Sequence, residues 1–413
     1  MNISSYINRN IEQSILHNCK SFPSIAITGP RQSGKTTLLR YLFQETHQFV
    51  TFDDPLNRER ATADPNLFLD SLSSNVILDE IQYVPELLSY IKMAIDQNRE
   101  ERGRYLITGS QHFHLIRDLG DSLAGRIALL NLLPFDIDET RRARSTHSST
   151  NNGRLQFLDA CLSGSYPEMV VHSRMNAELW YGSYLQTYLE RDIRNLAQVG
   201  DLRLFQQFVR LLASRCAQIL NLSGLASDIG ISVSTVKRWV SILEASHIVF
   251  LLPSYYRNMG KRIVKSPKLY FLDVGLVSYL TGIQTESHIM NGPMAGQLFE
   301  NYVIQEIVKY YYHHGKRPNI FYLRTHNQLE IDVLIEKRLE LFPIEIKLAK
   351  TINMRMTKPI EQFKKLFTSF AIKPGIIISL SDDAIPLTQQ VTAQPVASLF
   401  DILDDLLQVN HRD

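Results

Sequence analysis

The stretch SIAITGPRQSGKTTLLRYLF, residues 24 to 43, decides the reading of the first third of the chain. Ile25 to Thr28 form a short apolar run that predicts a strand, and Leu38, Leu39, Leu42 and Phe43 recur at helical spacing behind Lys35. Between them lies Gly29-x-x-x-x-Gly34-Lys35-Thr36, a complete phosphate-binding loop in the strand-loop-helix context that such a loop requires. The chemistry needs this spacing. The loop Gly29, Pro30, Arg31, Gln32, Ser33 and Gly34, with Lys35, Thr36 and Thr37 at the head of the helix, is expected to wrap the phosphates of ATP with backbone N–H groups. Lys35 would neutralise the β and γ oxygens, and the Thr36 hydroxyl would ligate Mg2+. A chance glycine turn before a helix would not fill every position of the motif.

Downstream, NVILDEIQ, residues 75 to 82, reads as a buried strand ending in two adjacent acids. Behind a phosphate loop, Asp79 is expected to hold the magnesium and Glu80 to polarise the attacking water. The competing role for such a pair is a helix cap. RYLITGSQ, residues 104 to 111, predicts a third strand with polar residues at its end.

The composition sets the frame. At 413 residues the chain is expected to hold roughly two to three domains. Its 44% hydrophobic and 21% charged residues exclude a disordered chain, and a net charge of +2 is too small to argue for nucleic acid by itself. Cys19, Cys161 and Cys216 lack ligand spacing, which predicts reduced thiols in a cytoplasmic protein. The start MNISSYINRN has no signal pattern, and no apolar run approaches the ~18 residues of a membrane span. RRARSTHSSTNNGR, residues 141 to 154, is almost wholly polar and predicts a linker; Gly and Pro near residues 282 to 296 mark a softer boundary.

GPRQSGKTTLL, FDDP, LDEIQYVPELLSYIK, ITGSQ and LAGRI, followed by GSYPEMV at 164 to 170 and YLQTYLERDIRNL at 184 to 196, resemble in this order the bacterial and archaeal AAA-type ATPases that carry a C-terminal domain of unassigned function. The resemblance covers nearly the whole chain. It implies an α/β architecture in three parts: an AAA+-like P-loop NTPase with a parallel sheet over residues 1–140, a helical lid and winged-helix domain over 155–282, and a restriction-endonuclease-like domain over 290–413. It implies further that Ser110 or Gln111 senses the γ-phosphate, and that Arg126 resembles the finger inserted into a neighbouring subunit's site, which would require a homo-oligomer. A surface helix cap is the plainer role for Arg126, and Arg191 is either a lid residue reading nucleotide state or one more solvated charge.

In the middle, residues 218 to 252 fit a helix-turn-helix, with a turn at Gly230 and a second helix capped by Ser232 or Ser234. Val236, Val240 and Leu243 make its buried stripe, leaving Thr235, Lys237, Arg238 and Ser241 toward solvent as candidate contacts to DNA. RNMGKRIVKSPK, residues 257 to 268, is basic without an acid, as a wing on a DNA backbone would be, with Lys261, Arg262 and Lys265 as candidates. The alternative is a structural winged helix packed on the ATPase lid.

Toward the C-terminus, a helix expected over 296–313 carries Glu300 among Phe299, Val303, Ile304 and Ile307, where a carboxylate needs a partner. LEIDVLIE (329–336) and LFPIEIK (341–347) predict strands bearing Asp332 and Glu345-x-Lys347. This order resembles the PD-(D/E)XK nuclease core, in which Asp332 and Glu345 would hold Mg2+, Glu300 would support it, and Lys347 would orient the attacking water. A solvated strand edge is the competing account of Glu345 and Lys347. His112, His114, His313 and His314 lack a ligand pattern, and Tyr310, Tyr311 and Tyr312 read as a helix end in a core more readily than as a base-stacking stripe. The expectation is an Mg-dependent ATPase that binds and remodels DNA, with a nuclease module; its rival is a nucleotide-controlled signalling or assembly switch acting on a protein partner.

Overall fold

Residues 6–109, 123–144, 152–172, 174–188, 202–255, 266–325 and 329–407 are described by the computed structural model. In the N-terminal part, strands β1 (Ser24–Thr28), β3 (Val76–Asp79) and β4 (Tyr105–Gly109) are buried at every position, as the central strands of a parallel sheet covered on both faces must be. β2 (Gln48–Thr51) and β5 (Ile127–Asn131) are the partly exposed edges of the order β2-β3-β4-β1-β5, in which every pairing is parallel. Alternation distributes the strand side chains between two cores. Ile25, Ile27 and Ile77 meet Ile11 and Ile15, beside and within α1 (Glu12–Cys19), and Leu38, Leu39 and Phe43 of α2 (Lys35–Phe43). Ala26, Val76 and Leu78 meet α3 (Pro55–Ala63), α4 (Pro65–Asp70) and α5 (Leu87–Gln97). Since all strands run the same way, the C-terminal ends of β1, β3 and β4 come together at one edge.

The expected linker begins later than its composition suggests. Arg141, Arg142, Ala143 and Arg144 extend α6 (Ile137–Arg144), whose acids sit in the first turn and whose arginines sit in the last, the arrangement that the helix dipole favours. Residues 145–151 lie outside the described part. Beyond them come α7 (Gly153–Ser163), α8 (Pro167–Val171), α9 (Ala177–Tyr188) and α10 (Leu202–Ser214). The latter opens a compact series: β6 (Gln218–Ile219), α11 (Leu222–Ile229), α12 (Val233–Ala245), β7 (Val249–Leu252) and β8 (Lys268–Phe271), with an antiparallel sheet ordered β6-β8-β7. Gly230, at φ 77, closes α11, and Ser232 caps α12 by accepting the Thr235 N–H at 3.1 Å. Val236, Val240 and Leu243 are buried as the periodicity predicts, joined by Trp239, which packs on Phe205 and Phe208.

After α13 (Val274–Thr281) and α14 (Glu286–Asn291), the long α15 (Ala295–His313) is followed by β9 (Ile320–Arg324), β10 (Glu330–Lys337), β11 (Glu340–Lys347), α16 (Lys358–Leu366), β12 (Ala371–Ile372), β13 (Gly375–Ser379), β14 (Ile385–Thr388), β15 (Val391–Pro395) and α17 (Leu399–Leu407). The sheet order is β14-β15-β13-β11-β10-β9; β9, β10 and β11 are antiparallel neighbours, and β13 joins β11 in parallel. Tyr310 and Tyr311 are buried, Tyr310 against Phe400, so this aromatic run is core. One apolar cluster runs from Leu133 through α15 to Leu403, across the boundary expected near residue 282.

Candidate functional site

The phosphate loop is shaped by its glycines. A Cβ at Gly29 would lie 2.0 Å from the Leu132 carbonyl oxygen, and Gly34 caps α2 at φ 93, a conformation that side chains resist. Lys35 is buried, and its Nζ donates to the carbonyls of Gly29 (3.1 Å) and Pro30 (2.8 Å), inside the curve of the loop. Arg31 is half-buried, Ser33 buried, and Gln32 and Thr37 exposed. The Thr36 hydroxyl donates to Asp79 Oδ1 at 2.7 Å, so the loop and the β3 acid meet. Asp79 also accepts from Thr108 (2.7 Å) and Thr51 (3.2 Å). This buried carboxylate is surrounded by hydroxyls and makes no ion pair among the described residues, a donor set that fits Mg2+. Glu80 sits at φ 59, its N–H donating to Thr108 Oγ1 at 3.1 Å and its carboxylate accepting from Gln82. Left-handed backbone at a residue of this type is strain of the kind that functional sites retain.

Two of these contacts were not foreseen from sequence. Thr108, a polar residue inside the apolar YLITG strand, fixes both acids; its place in that strand was the available signal. Arg9 is 5% exposed: it donates to Ser33 O (2.8 Å) and Leu133 O (2.7 Å), pairs with Glu139 (3.0 Å) and lies over the Phe135 ring. No local pattern announces it.

Glu139 belongs to a buried polar junction between the ATPase part and α15. His313 Nδ1 meets Asp136 Oδ2 at 2.7 Å, and its Nε2 accepts the Leu133 N–H at 3.3 Å, so Nδ1 carries the proton. Asp136, Glu139 and His313 cluster closely enough for a metal, but the protein already supplies their partners: Asn10, Arg9 and backbone N–H groups. Burial opposes ionisation of Asp136, and its hydrogen bonds from His313 and the Glu139 N–H, with the charge of Arg9 nearby, overcome it, holding the carboxyl well below its usual range. Lys309 donates to Phe135 O (2.9 Å), Ser165 Oγ (3.0 Å) and Glu306 (2.8 Å), and Glu306 accepts the Ile137 N–H at 2.7 Å.

At the other end of α15, Glu300 finds the partners its apolar setting demanded: Lys268 Nζ at 3.0 Å and the Tyr270 hydroxyl at 2.6 Å. Asp332 sits where β10 shifts register against β9, between Ile331 and Leu334. Its Oδ2 accepts the Ile346 N–H (2.9 Å) and Lys347 Nζ (3.2 Å). Lys347 also pairs with Glu345 Oε2 at 2.6 Å. Glu345 is 2% exposed and its Oε1 accepts no hydrogen bond among the described residues; this burial rules out a solvated edge. Burial and the neighbouring Asp332 charge push the Glu345 carboxyl up to about 8, and the same two causes raise Glu300. An orphaned buried oxygen among crowded carboxylates fits a hard divalent cation, although Glu300, Asp332 and Glu345 are less tightly gathered than the Asp136 cluster.

Lys237 and Arg238 are exposed on α12 as expected. Arg126 precedes β5, at the opposite end of the sheet from the phosphate loop, and binds Asp96 through Nε (2.7 Å) and a second nitrogen (3.0 Å); it cannot act in its own chain's site. Ser110, Gln111, Arg191, Lys261, Arg262 and Lys265 lie outside the described residues. No helix among the described residues is long and apolar enough to cross a membrane.

A parallel sheet in this order, with a phosphate loop after β1 and an acid pair after β3, defines the N-terminal part as an AAA-type P-loop ATPase fold. Residues 21–141 match a family model described as AAA domain, residues 154–287 match a domain of unknown function (DUF8612), and residues 295–399 match another (DUF4143). Uncharacterized proteins of Mycobacterium tuberculosis and Mycobacterium bovis are each 27% identical over 390 residues, covering 93% of this chain and 83% of theirs. Among solved structures, a Walker-type ATPase of Pyrococcus abyssi aligns at TM-score 0.45 and 16% identity over 67% of this chain and 96% of that one. The Thermotoga maritima RuvB Holliday junction branch migration motor aligns at TM-score 0.30 and 15% identity over 59% and 89%.

Proposed function

We propose that this chain hydrolyses ATP with Mg2+ to bind and remodel DNA, and that its C-terminal domain is a PD-(D/E)XK-type nuclease module. In the ATPase site, Lys35 draws charge from the γ-phosphate, Thr36 and Asp79 would hold the ion, and Glu80 polarises the attacking water. Bound there, Mg2+ would supply charge neutralisation on the phosphates. The series from α10 to β8 has the order of a winged helix, which turns Lys237 and Arg238 outward on its second helix of the turn motif. The observation that carries the nuclease reading is the convergence of Lys347, Asp332 and Glu345 beside Glu300 at the ends of β10, β11 and α15. Asp332 and Glu345 would hold a divalent ion that polarises a phosphodiester, while Lys347 orients the water. Arg126, on the far edge of its own sheet, is assigned to a neighbouring subunit's ATP site.

The test is ATP turnover with duplex, single-stranded and branched DNA, together with Mg-dependent cleavage. Lys237→Glu with Arg238→Glu is expected to abolish DNA stimulation at unchanged basal turnover. Asp332→Asn is expected to keep ATPase and lose cleavage. If no DNA form binds at low salt or alters turnover, the nucleotide-controlled switch prevails, a reading favoured by the buried junction that fixes the ATPase to α15.

A further inference from the structure

The acidic site at the C-terminal sheet is not built by the C-terminal domain alone. Lys268 comes from β8 of the middle domain, is 3% exposed, and places Nζ 3.0 Å from Glu300 Oε1 and 2.6 Å from Glu330 Oε1. Its position is fixed from several sides. The Asn301 side chain of α15 pairs with both backbone groups of Phe271, donating to its carbonyl (3.0 Å) and accepting its N–H (2.8 Å), much as a neighbouring strand would. The Lys268 ammonium lies 5.8 Å from the centre of the Tyr322 ring, and the Tyr322 hydroxyl donates to Ser266 O at 2.6 Å, two residues before the lysine. Ser254 bridges to Tyr322 at the edge strand β9, so the middle domain covers that edge of the C-terminal sheet.

Glu300, Glu330, Asp332 and Glu345 thus share two ammonium groups, Lys268 and Lys347, two carboxylates to each. Lys347 takes one oxygen from each of Asp332 and Glu345, leaving Glu345 Oε1 buried without a partner among the described residues. Lys268 occupies the Glu300–Glu330 half. Sites that carry out in-line displacement with two metals hold the ions about 3.5–4 Å apart, and each ion needs its own carboxylates. Here the second set is already spent on a fixed internal cation.

We propose that Lys268 is a resident cation of the C-terminal site, so that the site takes a single divalent ion, on Asp332 and Glu345, with Glu300 acting as the seat of the lysine rather than as a ligand. This rests on the reading of the site as a divalent-ion site, and it makes the site a composite of two domains. A middle-domain strand, held in place by α15, sets how many metal ions the nuclease-like centre can hold.

The experiment is Mn2+ uptake by the full chain without nucleotide, followed by the paramagnetic resonance of free Mn2+, counting the ions that Asp332→Asn removes. The wild-type chain is expected to lose one ion on that substitution. Lys268→Gln, similar in length but neutral, is expected to bind a second ion that Glu300→Gln abolishes. A folded Lys268→Gln chain that still binds one ion overturns the assignment. If Lys268→Gln does not fold, Glu330→Gln decides: with Glu330 engaged by lysine, the affinity of the single ion changes by no more than about threefold, the scale of one screened charge. A loss matching that of Asp332→Asn overturns the proposal. Uptake that Asp332→Asn leaves unaltered, or no uptake at all, instead removes the divalent-ion reading beneath it.

Discussion

Thr108 shows how a single hydroxyl organises the ATPase centre. It donates to Asp79 Oδ1 and accepts the Glu80 N–H, so it sets the angle between the acid proposed to hold magnesium and the acid proposed to polarise water. Hydrogen bonds to charged groups contribute about 1.5–3 kcal/mol. Thr108→Val, nearly the same shape, is therefore expected to lower ATP turnover by about tenfold to a hundredfold. Nucleotide affinity should change little, since the phosphate loop is untouched; fluorescent-nucleotide titration beside steady-state turnover checks both. Glu345 gives a second residue-scale expectation. Its carboxyl is raised from 4.5 to about 8 by burial and by Asp332, so the folded chain binds more protons than the unfolded one between those values. The stabilisation is complete below pH 4.5 and is lost as pH rises through 8. Glu345→Gln should flatten this slope and make the metal-free chain more stable at pH 8, with a ceiling of ~5 kcal/mol. Urea denaturation with chelator at pH 5 and pH 8 measures it.

At the scale of elements, α15 is the connecting rod. Glu300 lies near its start and His313 at its end, about 20 Å apart at the rise of an α-helix. The end at His313 reaches the phosphate loop through Glu139 and Arg9, whose guanidinium holds the Ser33 carbonyl. Arg9→Ala strips a buried carboxylate of its ion pair and should cost about 3 kcal/mol or more of stability, read by urea denaturation, with weaker ATP binding alongside. Little of this junction was legible in the sequence. The phosphate loop was, because its chemistry lies in eight consecutive residues; the α12 stripe was, because periodicity reports burial locally. Glu300 was legible because an acid among Phe299, Val303 and Ile304 asks for a partner, though which partner was hidden. Arg9, Lys268 and the pairing of Asp136 with His313 depend on contacts between segments far apart in the chain, for which one sequence carries no periodic or spaced signal. The polar linker was read too early, because arginines at a helix end look like loop composition until the acids of the first turn are set beside them.

For the whole molecule, the open question is whether one chain completes its own ATP site. Lys35, Thr36, Asp79 and Glu80 converge, while Arg126 stands at the far end of β5 in a two-point contact with Asp96. Such a surface pair holds the guanidinium ready without burying it, and exchange of Asp96 for a phosphate oxygen on an adjoining subunit retains the same fork geometry. If Arg126 serves a neighbour, Arg126→Ala should leave folding and nucleotide binding intact and lower turnover by about 10³-fold, the scale of an arginine finger. Mixing then separates this from a local role. A chain with Arg126→Ala keeps a competent acceptor site, and a chain with Glu80→Gln keeps a competent finger; each is nearly inactive by itself. Combined, they should recover turnover, because some interfaces pair an intact Glu80 with an intact Arg126. Turnover of the mixture equal to the average of the two variants, at concentrations where sedimentation shows oligomers, would place Arg126 outside catalysis and leave its bond to Asp96 as its whole role.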